Sequence, residues 1–133
     1  MTNTFKWPKA ALLAVALGQH LAAHAAEVIA HASVTLSADE VKELYFGDKQ
    51  LAGNVKLMPV DNAAQRADFQ AKVLQIDAAK YTSRWAKKAF REGLVAPNTL
   101  GSDAEAIAYV KTTPGAVAYV AGPTTGVKVL LRF

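Results

Sequence analysis

The chain contains no cysteine among its 133 residues, which excludes disulfides, thiolate metal ligands and a cysteine nucleophile together. Histidine is scarce as well, at three. His20 and His24 fall in the first 25 residues, so a chain shortened there keeps only His31 and has no two-histidine metal site. His31 lies in the first expected strand beside Ile29, where the ordinary reading is a satisfied core or sheet-face histidine. There is no P-loop and no G-x-G-x-x-G, and no nucleophile elbow surrounds Ser33, Ser37, Ser83 or Ser102. Asp61 and Asp68 are close in sequence, but acids near a helix start commonly act as capping groups. No motif supports an enzyme, and no metal or cofactor is expected.

No apolar run is long enough to cross a bilayer, which takes about 20 residues. The longest near the start, Ala10 to Leu17, follows Lys6 and Lys9 and precedes Ala23-His24-Ala25, a small-x-small cleavage pattern. Residues 1–25 therefore read as a secretory signal peptide, without a cysteine for lipid attachment, and the mature chain is expected to be periplasmic or secreted. Loss of Lys6 and Lys9 leaves 13 basic residues against 11 acidic and lowers the net charge from +4 to +2. That excess is too small and too dispersed to indicate nucleic-acid binding. Residues 26–133 suit one domain with one core.

Within that domain, Glu27 to Val34 reads as a strand covered on both faces, with Ser33 near its carboxyl end. Ser37 and Glu40 form a capping box, with Leu36 and Val41 as a hydrophobic staple, for a helix to about Phe46. Gly47 stops it, and Gly47 to Asn54 is expected as a polar loop. Val55 to Val60 is a second strand, in which Pro59 marks an edge or the point where pairing ends. Helices follow from about Ala63 to Leu74, with Phe69 and Val73 inward, and from Ala78 to Phe90, capped by Asp77, with Tyr81, Trp85 and Ala89 four residues apart.

Lys80, Arg84, Lys87, Lys88 and Arg91 share the opposite stripe of that second helix. Such a stripe is ordinarily a solvated face, with an acidic partner, a lipid surface or ligand steering as the alternatives. After a loop from Leu94 to Gly101, Ser102 and Glu105 form another capping box for a helix to about Thr112, with Ile107 and Val110 inward. Pro114-Gly115 leads into a strand, Ala116 to Val120. The last strand, Gly126 to Phe133, sets Val127, Val129 and Leu131 on one face against Lys128, Leu130 and Arg132. Interleaved strands and helices predict an α/β fold, a single three-layer lobe with a small mixed sheet flanked by helices.

The stretch with most chemical promise is Lys56 to Phe69, KLMPVDNAAQRADF, where an apolar run meets a polar loop that opens into a helix. Asn62 is placed as N-cap with Gln65 three residues on, and Arg66 one turn inside. Free backbone N–H groups and a guanidinium in one place suit an anion. The plainer alternative is an ordinary strand-to-helix connection with a solvent-facing arginine. Ser33, at the carboxyl end of a strand, is a further candidate contact.

A strand ending at a serine, L-S-x-x-E-V-x-x-L-Y-x-G in Leu36 to Gly47, Pro59-Val60, R-x-x-F in Arg66 to Phe69, the aromatics Trp85 and Phe90, and P-G-A-V-A-Y-V in Pro114 to Val120 occur in this order. The ordered set resembles the phosphate-binding periplasmic proteins of ABC importers and covers nearly the whole mature chain. The resemblance implies a type II periplasmic-binding-protein-like fold and carries Arg66 over as an anion contact. Members of that family clamp an oxyanion between two lobes, whereas 108 residues supply about one. They also carry a Ser-Gly-Thr step beside the arginine, where this chain has Asp61-Asn62-Ala63-Ala64-Gln65. Asn62, Gln65 and helix N–H groups are the replacements expected, while Asp61 would repel a dianion unless protonated or turned away.

Two functions follow. The first is an exported solute-binding-like module that takes phosphate or another small oxyanion through Arg66, Asn62, Gln65 and Ser33, with a second copy or another protein completing the cleft. The second is an accessory module without ligand, docking a partner through the Lys80, Arg84, Lys87, Lys88 and Arg91 stripe or an open sheet edge.

Overall fold

The computed structural model describes residues 25–133; the leader expected over residues 1–25, with Lys6, Lys9, His20 and His24, falls outside them apart from Ala25. Eleven elements follow in chain order. They are β1 (Ala26–Ala30), α1 (Ala38–Tyr45), β2 (Leu51–Ala52), β3 (Val55–Lys56), β4 (Met58–Asn62), α2 (Arg66–Phe69, continued by a π-helical turn Gln70–Leu74), α3 (Ala78–Glu92), β5 (Asn98–Leu100), α4 (Asp103–Thr112), β6 (Ala116–Ala121) and β7 (Lys128–Arg132). Five strands form one mixed sheet in the order β5-β4-β6-β1-β7. In it β4 runs parallel to β5 and β6, while β1 is antiparallel to β6 and β7.

Alternation along the central strands builds two cores. Val28, Ala30, Val117 and Tyr119 face α1, α2 and α3, whereas Ile29, Ala116, Ala118 and Val120 face α4. Three helices on one face and one on the other make the three-layer α/β lobe that the pattern implied. The local signals behind it are physical. Ser37 Oγ accepts from the Glu40 N–H and Glu40 returns a bond to the Ser37 N–H, as a capping box requires. Asp77 caps α3 by accepting from the Lys80 N–H at 2.8 Å. Gly115 has φ +81, and a Cβ there would stand 2.0 Å from the Lys56 carbonyl oxygen, so the turn into β6 admits glycine alone.

The aromatic residues of the ordered motifs converge, except Phe90, which is exposed. Phe69 stacks on Tyr119 with centroids 3.9 Å apart, and Tyr45 meets Phe69 edge-on at 4.8 Å. Trp85 packs on the same cluster and donates its indole N–H to the Tyr45 carbonyl at 3.0 Å, meeting an acceptor left open at the end of α1.

Several boundaries differ from expectation. The first strand stops at Ala30, because the Val34 N–H turns back to the His31 carbonyl at 2.9 Å and the Ser33 N–H donates to the His31 ring. The loop after Gly47 holds a small hairpin, β2–β3, separate from β4. The loop after Leu94 ends in β5, an edge strand parallel to β4. Ala89 is exposed and Ile107 half-buried, so the inward stripes are narrower than the spacing suggested. In β7 the alternation breaks at a bulge between Val28 and Ile29 of β1: Leu130 is the extra residue, so both Leu130 and Leu131 join the three-helix core while Val127 and Val129 face α4.

Candidate functional site

Pairing between β4 and β6 covers only Met58–Ala116 and Pro59–Val117, and beyond Pro59 the two strands part. Proline thus marks the end of pairing to β6 while β4 itself lies inside the sheet, flanked by β5 and β6. Side chains fill the opening. Tyr45 donates its hydroxyl to the Val60 carbonyl at 2.8 Å, with the Val117 carbonyl 3.2 Å away. Asn62 donates to the Tyr119 carbonyl at 2.9 Å and to Asp103 Oδ1 at 2.7 Å, and Asp103 Oδ2 accepts from the Ala121 N–H.

That network changes the role of Asn62. It is fully buried at the end of β4, a strut between β4, β6 and the start of α4, and its Oδ1 accepts from the Ala64 N–H. The Ala63 N–H donates to the Leu100 carbonyl and the Gln65 N–H to the Asn62 carbonyl. The helix accordingly begins at Arg66 instead of Ala63, and the loop N–H groups expected to face an anion are engaged within the fold. Gln65 stands at the N-cap without a side-chain capping bond and lines a separate groove with Asp68, Lys72 and Phe133.

Ser33 is also apart from Arg66. It follows the carboxyl end of β1, which is antiparallel to β6, so it lies beside Ala116 at the opposite end of the sheet from Asn62 and Arg66. Its hydroxyl accepts from the Gly115 N–H at 3.1 Å and bonds the His31 ring at 2.8 Å, a loop-closing arrangement. Of the four sequence candidates, Arg66 alone reaches the groove described next.

Arg66 extends from the first turn of α2 and donates an Nη2 hydrogen to Thr99 of β5. Its Nε is buried without a hydrogen-bond partner, the one such side-chain atom among the described residues. An N–H in that position is costly unless something accepts from it. Arg66 lines a groove of about 590 Å³ between α3 and the segment leading to β5, together with Asp61, Thr99, Tyr81 and Trp85.

Asp61 is almost fully buried, yet both oxygens are occupied: Oδ1 accepts from Tyr119 at 2.7 Å and Oδ2 from Tyr81 at 2.8 Å. Burial raises its carboxyl above the usual range, opposed by the two tyrosine bonds and the positive charge of Arg66. The Tyr81 and Tyr119 hydroxyls are in turn held protonated, first by burial and then by the Asp61 charge. The carboxylate is thus turned toward the tyrosines, which answers the repulsion expected of it. Tyr81 and Trp85 were legible as an inward helix face; Thr99 was not, since the strand that carries it, Asn98–Leu100, follows Pro97 in what reads as a loop.

The basic stripe lines a second groove of about 460 Å³ on another side of α3. Asp48 pairs with Arg84 at 3.1 Å and with Lys88 at 2.7 Å, and Lys88 also meets Glu92 at 2.8 Å. Arg84 lies over the Phe46 ring, 4.4 Å from its centroid. Lys80, Lys87 and Arg91 have no ion pair among the described residues. No group of three or more potential metal ligands occurs there, and no helix is long and apolar enough to cross a membrane.

No family model matches the chain and no curated relative does. Among solved structures it is similar to the crystal structure of an ABC-type phosphate transport receptor from Vibrio cholerae, at TM-score 0.50 and 14% sequence identity. The likeness covers 80% of this chain and 45% of that one, so the chain corresponds to less than half of the receptor's length. At that identity the likeness is one of fold, and the fold is periplasmic-binding-protein-like.

Proposed function

We propose that this chain is an exported solute-binding module that takes a small oxyanion at Arg66, with phosphate as the first ligand to test. The observation that carries the reading is the Arg66 guanidinium lining a groove beside Thr99, as the groove's one cation, with its Nε left without a partner inside the fold. A guanidinium that lines an open groove beside a hydroxyl offers positive charge and donors to an acceptor oxygen. The fold likeness to a phosphate transport receptor supports the same reading. Periplasmic or secreted localisation belongs to the proposal and rests on the leader-like residues 1–25. The opening of the groove to solvent leaves room for a second copy or another protein to complete it.

The test is thermal unfolding with millimolar phosphate and sulfate. Ligand at 100 times its dissociation constant stabilises by about 2.7 kcal/mol, and Arg66→Ala should abolish the shift. Absence of a shift with every oxyanion tried overturns the reading. A second reading, an accessory module that docks an acidic partner, is favoured by Phe90, which is 92% exposed between Lys87 and Arg91 on α3. It expects a partner whose capture weakens with salt and is lost on Lys87→Glu with Arg91→Glu; capture indifferent to both counts against it.

A further inference from the structure

The composition of the Arg66 groove narrows its ligand further than "small oxyanion". Its volume, about 590 Å³, is on the order of twenty times the share of one water in the liquid and falls in the range that holds compact organic ligands. The walls are carbon. Ala86 and Ala89 of α3 face Leu94, Val95 and Pro97 of the following segment, and Val95 is left 85% exposed.

The polar atoms of the aromatic lining are directed away from any ligand. Tyr81 gives its hydroxyl to Asp61 and Trp85 its indole N–H to the Tyr45 carbonyl, so both present ring carbon to the groove. A free phosphate asks for donors on all sides. Here the donors are Arg66 and Thr99, supplemented by Thr82 and Gln70. The charge count points the same way: Arg66 is the one cation in the lining and Asp61 is turned to the tyrosines, so a second negative charge on a ligand would be uncompensated.

We infer that the groove takes an organic monoanion, a carboxylate on an apolar body, with the carboxylate on Arg66 and Thr99 and the body along the Ala86, Ala89 and Val95 wall. This inference rests on the anion-binding reading of Arg66. It differs from that reading in the rank order of ligands, since apolar walls add affinity only for a ligand with carbon to bury.

Hexanoate, benzoate, benzyl alcohol and inorganic phosphate, titrated against the full mature chain by calorimetry and thermal shift, separate the two. Hexanoate and benzoate should bind at least about tenfold more tightly than phosphate, and benzyl alcohol should not compete. Arg66→Ala should remove binding of both carboxylates. Ala86→Trp, on an exposed helix position, should weaken benzoate by about tenfold. Phosphate binding as tight as benzoate overturns the inference and leaves the anion site standing. Benzoate binding unchanged by Ala86→Trp also overturns it, because the body would then lie elsewhere. If no anion binds, both readings fall. Should Ala86→Trp fail to fold, the wild-type rank order decides.

Discussion

Helix α3 is flanked by two grooves that handle charge in opposite ways. The stripe groove collects five cations, yet Arg84 and Lys88 are answered by Asp48 and Glu92, and the rest stand in water. The other groove holds one cation, Arg66, with a buried donor that nothing answers, beside a carboxylate that faces two tyrosines. Exposed charges are screened and weak, whereas an unpaired donor out of water is an unfilled requirement. On that ground the sparser groove is the one proposed as the ligand site, and the number of charges is the poorer guide.

The sharpest way to break that contrast is to remove the carboxylate that organises the sparse groove. Asp61→Ala leaves the buried Tyr81 and Tyr119 hydroxyls without their acceptor. At about 1–3 kcal/mol for each unsatisfied group, a loss of about 3 kcal/mol is expected in denaturant unfolding. Asp61→Asn keeps an acceptor and should lose less. A loss indistinguishable from that of an exposed acid such as Asp39 would show that the carboxylate does not organise this end of the sheet.

A smaller effect is read from pH. Burial raises the native Asp61 carboxyl above the ordinary 3.8, so the folded protein holds this proton more tightly than the unfolded chain does. Below the unfolded value both states are protonated and the group's stabilising contribution is complete. As pH rises from there through the raised native value, the contribution is lost, and above it the curve is flat. Wild type should thus fall in stability relative to Asp61→Asn across that window. A difference that is flat, or that grows in favour of wild type with rising pH, would contradict the burial assigned to Asp61.

The contrast between the grooves also accounts for how much could be read before the fold was known. Local hydrogen-bond grammar was legible: Ser37 with Glu40, Asp77, Ser102 and Gly115 each specify a backbone event within a few residues. The ordered motifs were legible too, and their residues Tyr45, Phe69 and Tyr119 meet in one aromatic cluster of the core. That cluster makes them markers of fold more than of ligand.

Partners distant in sequence were not legible. Asn62 carries the chemistry of a cap, and it does accept from the Ala64 N–H, but its fate is decided by Tyr119 and Asp103, 57 and 41 residues away. Ser33 looked like a strand-end ligand, and only the antiparallel pairing of β1 with β6 puts it at the far end of the sheet. Thr99 needed β5, which forms because β4 offers a parallel partner rather than because Asn98–Leu100 has strong strand character.

The mildest intervention bears on whether the two grooves are independent. Lys80 and Lys87 carry exposed charges without ion pairs among the described residues, so Lys80→Glu with Lys87→Glu reverses two of the stripe's five charges without dismantling the Asp48 bridges. At physiological salt, where screening acts over about 8 Å, the affinity of an anion at Arg66 should change by less than about twofold. At low salt the reversal should slow association with little effect on dissociation, which is the mark of steering. Stopped-flow binding at two salt concentrations reads both rates. An affinity loss of tenfold or more at high salt would mean that the stripe contacts the ligand directly, and the two grooves would then have to be treated as one site wrapped around α3.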